Sequence, residues 1–271
     1  MTRPMRVAVA QMNSVPDVEA NLAAVARLVA RAAEYGAELV GLPECYAFLG
    51  PERAKLALAE PLEPMGPILS RVAALAKQHG IRVLAGGHWE RGPDPDHVYN
   101  TAVLLGTEGE ILAVYRKIHL FDVSLRDGTV IEESRTIAPG DALTVAPMPF
   151  GGLGLSICYD LRFPELYRGL VDRGAHAIAV PSAFTATTGK DHFAVLLRAR
   201  AIESQCYVLA PAQWGRHFGD RVSHGHACIV DPWGTVIAEC SDGETVAVAT
   251  IDPAYVAQVR AAIPCLRHRR L

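Results

Sequence analysis

The sequence predicts an α/β protein in which helices cover sheets on both sides, and three observations carry that expectation. Short apolar runs of strand length recur along the 271 residues. Segments with apolar residues at helical spacing separate those runs at both ends of the chain. Turn-rich junctions between neighbouring runs in the middle mark local hairpins. Strands and helices alternating in this way bury their apolar faces against one another in layers.

Taken in order, Arg6 to Met12 is an apolar run of strand length, and Asp17 to Tyr35 carries Leu22, Val25, Leu28, Val29 and Ala32 at helical spacing with Gly36 as its stop. Glu38 to Leu42 reads as a buried strand ending at Pro43-Glu44, and Pro67 to His79 as a second helix closed by Gly80. Residues 81–87, 101–105 and 111–115 read as three more strands, joined by Gly92-Pro-Asp-Pro95 and Thr107-Glu-Gly-Glu110. The polar stretch from Phe121 to Pro139 reads as a long loop, and a loop of that length in a compact domain is more often functional than idle, so it is a candidate wall of an active site. The second half repeats the rhythm with strand 153–157, helix 164–173, strand 177–180, helix 190–204, strands 207–211, 227–230, 236–239 and 246–251, and helix 253–262. With no internal repeat or linker-like tract, residues 1–271 are expected to form a single domain. The short basic tail at about 264–271, ending Arg267-His-Arg-Arg-Leu271, reads as a solvated terminus.

Half of the residues are apolar, enough for an extensive core at this length. Charged residues make up 20% and the formal net charge is −3, so no global field attracts nucleic acid or an anionic membrane, and neither partner is expected. No window approaches the roughly 20 uninterrupted apolar residues of a membrane-spanning helix. The start of the chain runs straight into a strand-like segment with no export pattern. Six cysteines without close pairing suit a large reduced protein, and a cytoplasmic location is expected. Ten histidines include His224-Gly-His226, but neither Cys-x-x-Cys nor His-Glu-x-x-His spacing occurs, so no metal site is expected.

The chemistry concentrates in Leu153-Gly-Leu-Ser-Ile-Cys158-Tyr-Asp-Leu-Arg162-Phe-Pro164-Glu165, where an apolar strand ends at a cysteine and a helix follows. A strand-to-helix turn exposes its nucleophile and aims the next backbone N–H, here that of Tyr159, at a bound carbonyl oxygen. A lone cysteine is more often a small buried hydrophobe, and its neighbours decide between the two readings. Glu44 and Lys117 also close strand-like runs, in Leu-Pro-Glu44 and Tyr-Arg-Lys117-Ile-His119. Each alone could be a solvated charge capping a strand, but three such residues point to one site at a sheet's carboxyl edge.

These motifs, in this order and spacing, resemble the nitrilase superfamily of carbon–nitrogen hydrolases, and the resemblance spans nearly the whole chain, including Arg198-Ala-Arg-Ala-Ile-Glu203 and Asp231-Pro-Trp-Gly234. It implies a four-layer αββα sandwich, catalysis by Glu44, Lys117 and Cys158 without metal or organic cofactor, and a homodimer paired through the helices near the cysteine. It adds a second glutamate from the long loop, matched by Glu133, with Glu132 as the neighbouring alternative. Here the chain has Ser124-Leu-Arg-Asp-Gly128 where many relatives carry a Pro-Gly turn.

The mechanism expected from these residues is acyl transfer. Lys117 favours the thiolate of Cys158, and Glu44 takes the thiol proton. Lys117 and the Tyr159 N–H hold the oxyanion, and Glu133 orients Lys117 or the leaving amine. Within the superfamily, Cys158-Tyr-Asp-Leu-Arg-Phe-Pro-Glu165 resembles the Nit-type amidases, and Pro181-Ser-Ala-Phe184, residues 196–207 and Gln213-Trp-Gly-Arg-His217 are most similar to the deaminated glutathione amidase branch. The resemblance implies a small amide substrate with a 2-oxo dicarboxylate-like acyl group held by Arg162, Phe184 and Thr188. For Arg162 the plain alternative is an ion pair with Glu165, and for Phe184 it is core packing. An ω-amidase acting on 2-oxoglutaramate-like monoamides, an N-carbamoyl amino acid hydrolase and a catalytically silent interaction protein are the competing functions.

Overall fold

The computed structural model describes residues 2–125, 128 and 130–270. Arg126 and Asp127, in the Ser124-to-Gly128 departure, lie outside the described residues, as do Thr129 and the two terminal residues. Among the described residues the α-helices are α1 (Val18–Glu34), α2 (Pro67–His79), α3 (Pro164–Asp172), α4 (Ala186–Ser204), α5 (Pro253–Ala262) and the short α6 (Cys265–His268).

Strand Met5–Met12 lies in the middle of the first sheet, flanked by Leu39–Gly41 in parallel and Thr245–Ile251 antiparallel. The sheet continues through Arg82–Arg91 and Val98–Leu105 to Ile111–Arg116, and in the other direction through Ala212–Arg216 to Val222–His224. The second sheet runs Val236–Glu239, Cys228–Val230, Tyr207–Ala210, Ala175–Ala179, Gly151–Leu155 and Val145–Met148.

Successive side chains of a strand point to opposite faces, and here both faces are buried. Val7 and Val9 join the core shared with the second sheet, whereas Ala8, Ala10 and Met12 face the core under α1 and α2. Leu104 and Leu105 divide in the same way. The same cluster continues through the second sheet to Phe193 and Leu197 of α4 and Tyr167 of α3. The layers are therefore helices, sheet, sheet, helices: the expected αββα sandwich. Strands buried on both faces read as continuous apolar runs, which is why the sequence marks them so clearly.

The helix ends follow their local signals. Asp17 caps α1 by accepting from the Ala20 N–H at 3.1 Å. Gly80 closes α2 in the left-handed conformation, φ 60°. Two expectations need correction. Helix α4 begins at Ala186, four residues before the expected 190, because the Thr185 hydroxyl offers a cap to the Thr188 N–H. The stretch from Phe121 to Pro139 is not plain loop: it carries a hairpin of Asp122–Ser124 and Val130–Glu132 and a single 3-10 turn, Glu133–Arg135. Three strands without a strong local signal, Val145–Met148, Ala212–Arg216 and Val222–His224, add to the sheets. In the tail, Arg269 pairs with Asp172 at the end of α3.

Candidate active site

Glu44 follows the strand Leu39–Gly41, and Lys117 follows Ile111–Arg116 of the same sheet. Cys158 follows Gly151–Leu155 of the other sheet, and Glu133 opens the 3-10 turn after the hairpin. Sandwiching the two sheets brings all four together, at the walls of one small cavity of about 20 Å³.

Cys158 stands at φ 46°, a left-handed conformation that a non-glycine residue adopts at a cost of order 1–3 kcal/mol. The surrounding structure holds it there. Its N–H donates to the Pro181 carbonyl at 2.9 Å, and the 3-10 turn Cys158–Arg162 leads into α3 with Pro164 in the first turn. Arg200 braces this turn from α4, donating to the Leu161 carbonyl at 2.9 Å while pairing with Glu203 at 2.8 Å. The Arg198-to-Glu203 motif is thus structural.

Lys117 Nζ donates to Glu44 Oε1 at 2.9 Å and to both Glu133 oxygens at 3.0 and 2.8 Å. Glu44 also accepts from Asn100 Nδ2 and from the Ala183 N–H, both at 2.9 Å. The Cys158 thiol and the Glu44 carboxylate line the same cavity, and each shifts the other's protonation. Glu133 accepts from the Phe121 N–H at 2.8 Å. Glu132 turns away and pairs with Arg135 at 2.7 Å, so Glu133 is the one of the two that meets Lys117.

Burial disfavours charge on Glu44, but the adjacent Lys117 ammonium, the Cys158 thiol and hydrogen bonds from Lys117 and the Ala183 N–H hold its carboxyl below the ordinary range. Burial likewise opposes the Lys117 ammonium, yet Glu133 and Glu44 hold it well above its usual range. For Cys158, burial and then the Glu44 charge push the thiol well above its ordinary range, outweighing the opposite pull of Lys117. The resting site therefore holds a thiol, a carboxylate and an ammonium. Lys117 pulls the thiol toward ionisation, the direction expected of it, but burial and Glu44 outweigh that pull.

The four other expected residues line the same cavity. The Arg162 guanidinium sits 5.1 Å from the Phe184 ring centroid and 5.9 Å from that of Tyr159, with Nη1 3.3 Å from His192 Nδ1. It makes no ion pair with Glu165 among the described residues. Phe184 both packs against Phe193, ring centroids 5.0 Å apart, and faces the cavity. Thr188 meets Thr185 hydroxyl to hydroxyl at 2.8 Å. The Tyr159 ring packs edge-on against Phe121 and Phe163.

Sequence reasoning missed several participants. Asn100 is a buried polar residue in the otherwise largely apolar strand Val98–Leu105, a visible signal with no motif attached. Asp160, wholly buried, accepts from Tyr115 Oη at 2.7 Å, from the His119 N–H at 3.1 Å and from the Ile157 N–H at 2.9 Å, and lies 2.7 Å from His119 Nδ1. It ties the segment carrying Lys117 to the turn carrying Cys158. Arg221 also lines the cavity, from a loop where nothing in the sequence sets it apart. Of the two histidines in His224-Gly-His226, His226 pairs with Glu239 at 2.7 Å and the two rings lie 4.7 Å apart.

A thiol on a strand-to-helix turn, sharing one cavity with a buried carboxylate and an ammonium, marks a cysteine-dependent hydrolase. The carbon-nitrogen hydrolase profile matches residues 6–261, and the chain belongs to that family. It is 46% identical over 270 residues to the deaminated glutathione amidase of Synechocystis sp., covering 98% of each chain. Among solved structures it resembles Nit3 of Saccharomyces cerevisiae, a member of branch 10 of the nitrilase superfamily, with TM-score 0.89 and 32% identity over 99% of this chain and 97% of that one. It also resembles an amidase from Nesterenkonia sp., TM-score 0.79 and 29% identity over 98% of this chain and 97% of that one, captured with the acetamide moiety of fluoroacetamide added covalently at the active site cysteine.

Proposed function

We propose that the chain is a cysteine-dependent amidase that hydrolyses the C–N bond of deaminated glutathione through a thioester on Cys158. The near full-length 46% identity to a deaminated glutathione amidase carries the substrate. The hydrogen-bonded set Glu44, Lys117 and Glu133, with Cys158 on the wall of the same cavity, supports the chemistry.

In this reading Cys158 attacks the amide carbon as its proton passes to Glu44, so thiolate forms only with the new C–S bond. Lys117 and the Tyr159 N–H hold the oxyanion, each such donor contributing on the order of 3 kcal/mol to the transition state. Glu44 then protonates the departing nitrogen, the C–N bond breaks and the amine leaves. Water attacks the thioester with Glu44 again taking a proton, and the acid and the thiol are regenerated. Glu133 keeps Lys117 in place throughout. Arg162, stacked against Tyr159 and Phe184, takes the acyl carboxylate beside Thr188, and no metal or organic cofactor takes part.

We place the enzyme in the cytoplasm as a single-domain homodimer. The exposed Val195 and Ile202 of α4, with nearby Trp233, support pairing through that face, and a monomer in light scattering would sink it. The test of function is amine release from deaminated glutathione by wild type and Cys158→Ala. The variant should lose at least about 10⁴-fold in kcat and form no thioester in mass spectra. Turnover that survives the substitution would overturn the mechanism.

A further inference from the structure

The space around Cys158 is small, about 20 Å³. Thr185 and Arg221 are shared between its wall and a neighbouring cavity of about 800 Å³. The hairpin residues Val130 and Ile131 and the aromatic Phe218 form part of that larger cavity. Whatever leaves with the scissile nitrogen has this cavity beside it.

Its charges are mostly spoken for. Arg135 pairs with Glu132 at 2.7 Å, Arg53 faces Asp96 at 3.7 Å, and Asp220 is held by Arg216 at 3.0 Å. Glu52 is neutralised by Lys55 at 2.5 Å and reaches Arg221 only at 3.5 Å. Arg221 is thus a largely buried guanidinium, its side chain 23% exposed, whose acid has a closer cation. Of its five N–H donors, Nη1 alone has a side-chain partner among the described residues, the distant Glu52. Such a fork at the junction of two cavities fits a carboxylate bidentately.

We propose that the larger cavity receives the amine half of the substrate and that Arg221 reads the carboxylate on it, so that this guanidinium is what separates a leaving group with a free C-terminus from a capped one. The proposal rests on the amidase reading above. It gives the pocket one arginine for each end of a dicarboxylate substrate, Arg162 on the acyl side and Arg221 on the amine side.

The test uses three amides of one acyl group, 2-oxoglutarate, with leaving groups ammonia, cysteinylglycine and cysteinylglycine amide. Wild type should prefer the free acid over its capped amide by at least about ten-fold in kcat/KM, the scale of a charge-assisted hydrogen bond. Arg221→Met should erase that preference, chiefly through KM, its loss on the free acid exceeding its loss on the other two by about ten-fold. Arg221→Lys, which keeps charge but not the fork, should retain part of it. No wild-type preference, or an equal loss on all three amides in Arg221→Met, overturns the proposal while leaving the amidase reading intact. If wild type cleaves none of the three, the amidase reading falls and takes this proposal with it.

Discussion

The floor and the mouth of the pocket are both built from ion pairs, but they sit in different solvents. On the floor, Lys117 is 1% exposed and bonded to two carboxylates that backbone N–H groups also hold. At the mouth, Arg53 is 80% exposed and meets Asp96 at the edge of contact. Charges removed from water are stable only as a complete, hydrogen-bonded set, whereas exposed ones are hydrated with or without a partner. The floor therefore tolerates no single change and fixes the chemistry. The mouth can change residue by residue, which makes it the place where amide substrates are distinguished.

The sharpest attempt to break this contrast removes the cation from the floor. Lys117→Met leaves Glu44 and Glu133 buried with nothing between them, and breaking a buried set in this way costs about 3–5 kcal/mol. Urea unfolding should show that loss, together with a fall in kcat of at least about 10³-fold from the lost oxyanion donor. Unchanged stability would mean that the floor is as hydrated as the mouth.

Asp160→Asn asks whether the floor extends beyond the residues that touch substrate. The amide keeps the shape but has one acceptor oxygen where the carboxylate offers two, and Asp160 uses both, Oδ1 toward His119 and Oδ2 toward Tyr115 and the Ile157 N–H. A loss of about 1–3 kcal/mol in stability is expected, from a buried donor left unpaired. A drop of about ten-fold in kcat with little change in KM would mark it as a positioning residue, because Lys117 and Cys158 hang from the two segments it joins. A stability loss with no kinetic effect would confine it to the fold.

The pH dependence follows from the directions of the shifts. The reactive form has Glu44 ionised and Cys158 protonated. Because Lys117 and its other donors hold Glu44 low, the acid limb of kcat/KM should fall below the ordinary glutamate value of about 4.3. Because burial and Glu44 hold the Cys158 thiol high, the rate should not rise through the ordinary thiol range near about 8.5, as it would if a free thiolate were the nucleophile. A plateau over about pH 5–8.5 is expected, and a rising limb near 8.5 would restore the thiolate mechanism.

The same contrast explains what the sequence made legible. Glu44 and Cys158 follow strands whose ends are buried on both faces, and Lys117 follows a half-buried edge strand, so each closes an apolar run and stands out. Glu133 is reached only through the family resemblance, which implies a second glutamate from the long polar stretch, and the structure separates it from Glu132. The hairpin inside that stretch, Asp122–Ser124 with Val130–Glu132, has alternate residues in water and no core to impose a pattern. Strand Ala212–Arg216 joins the sheet through the end of Met5–Met12, far away in the sequence, and through a short hairpin with Val222–His224, and neither pairing leaves a local periodicity. Asn100 and Asp160 act through partners 41 to 56 positions away, which no window of sequence brings together. Arg221 matters by its place between two cavities, a property of the folded chain alone.

The smallest effect is expected at the outermost pair. Arg53→Ala removes a contact between two side chains that are 80% and 76% exposed, and such pairs contribute about 0–1 kcal/mol. Urea unfolding should therefore move by no more than about 0.5 kcal/mol, in contrast to Lys117→Met. Arg53 also lines the large cavity, so its charge adds a diffuse attraction for anionic substrates. Its loss should raise KM for the free acid by no more than about two-fold at physiological ionic strength, and the difference should vanish in 1 M salt, where the Debye length shrinks to about 3 Å. An effect that persists in high salt would mean that Arg53 touches substrate, moving the boundary between floor and mouth outward.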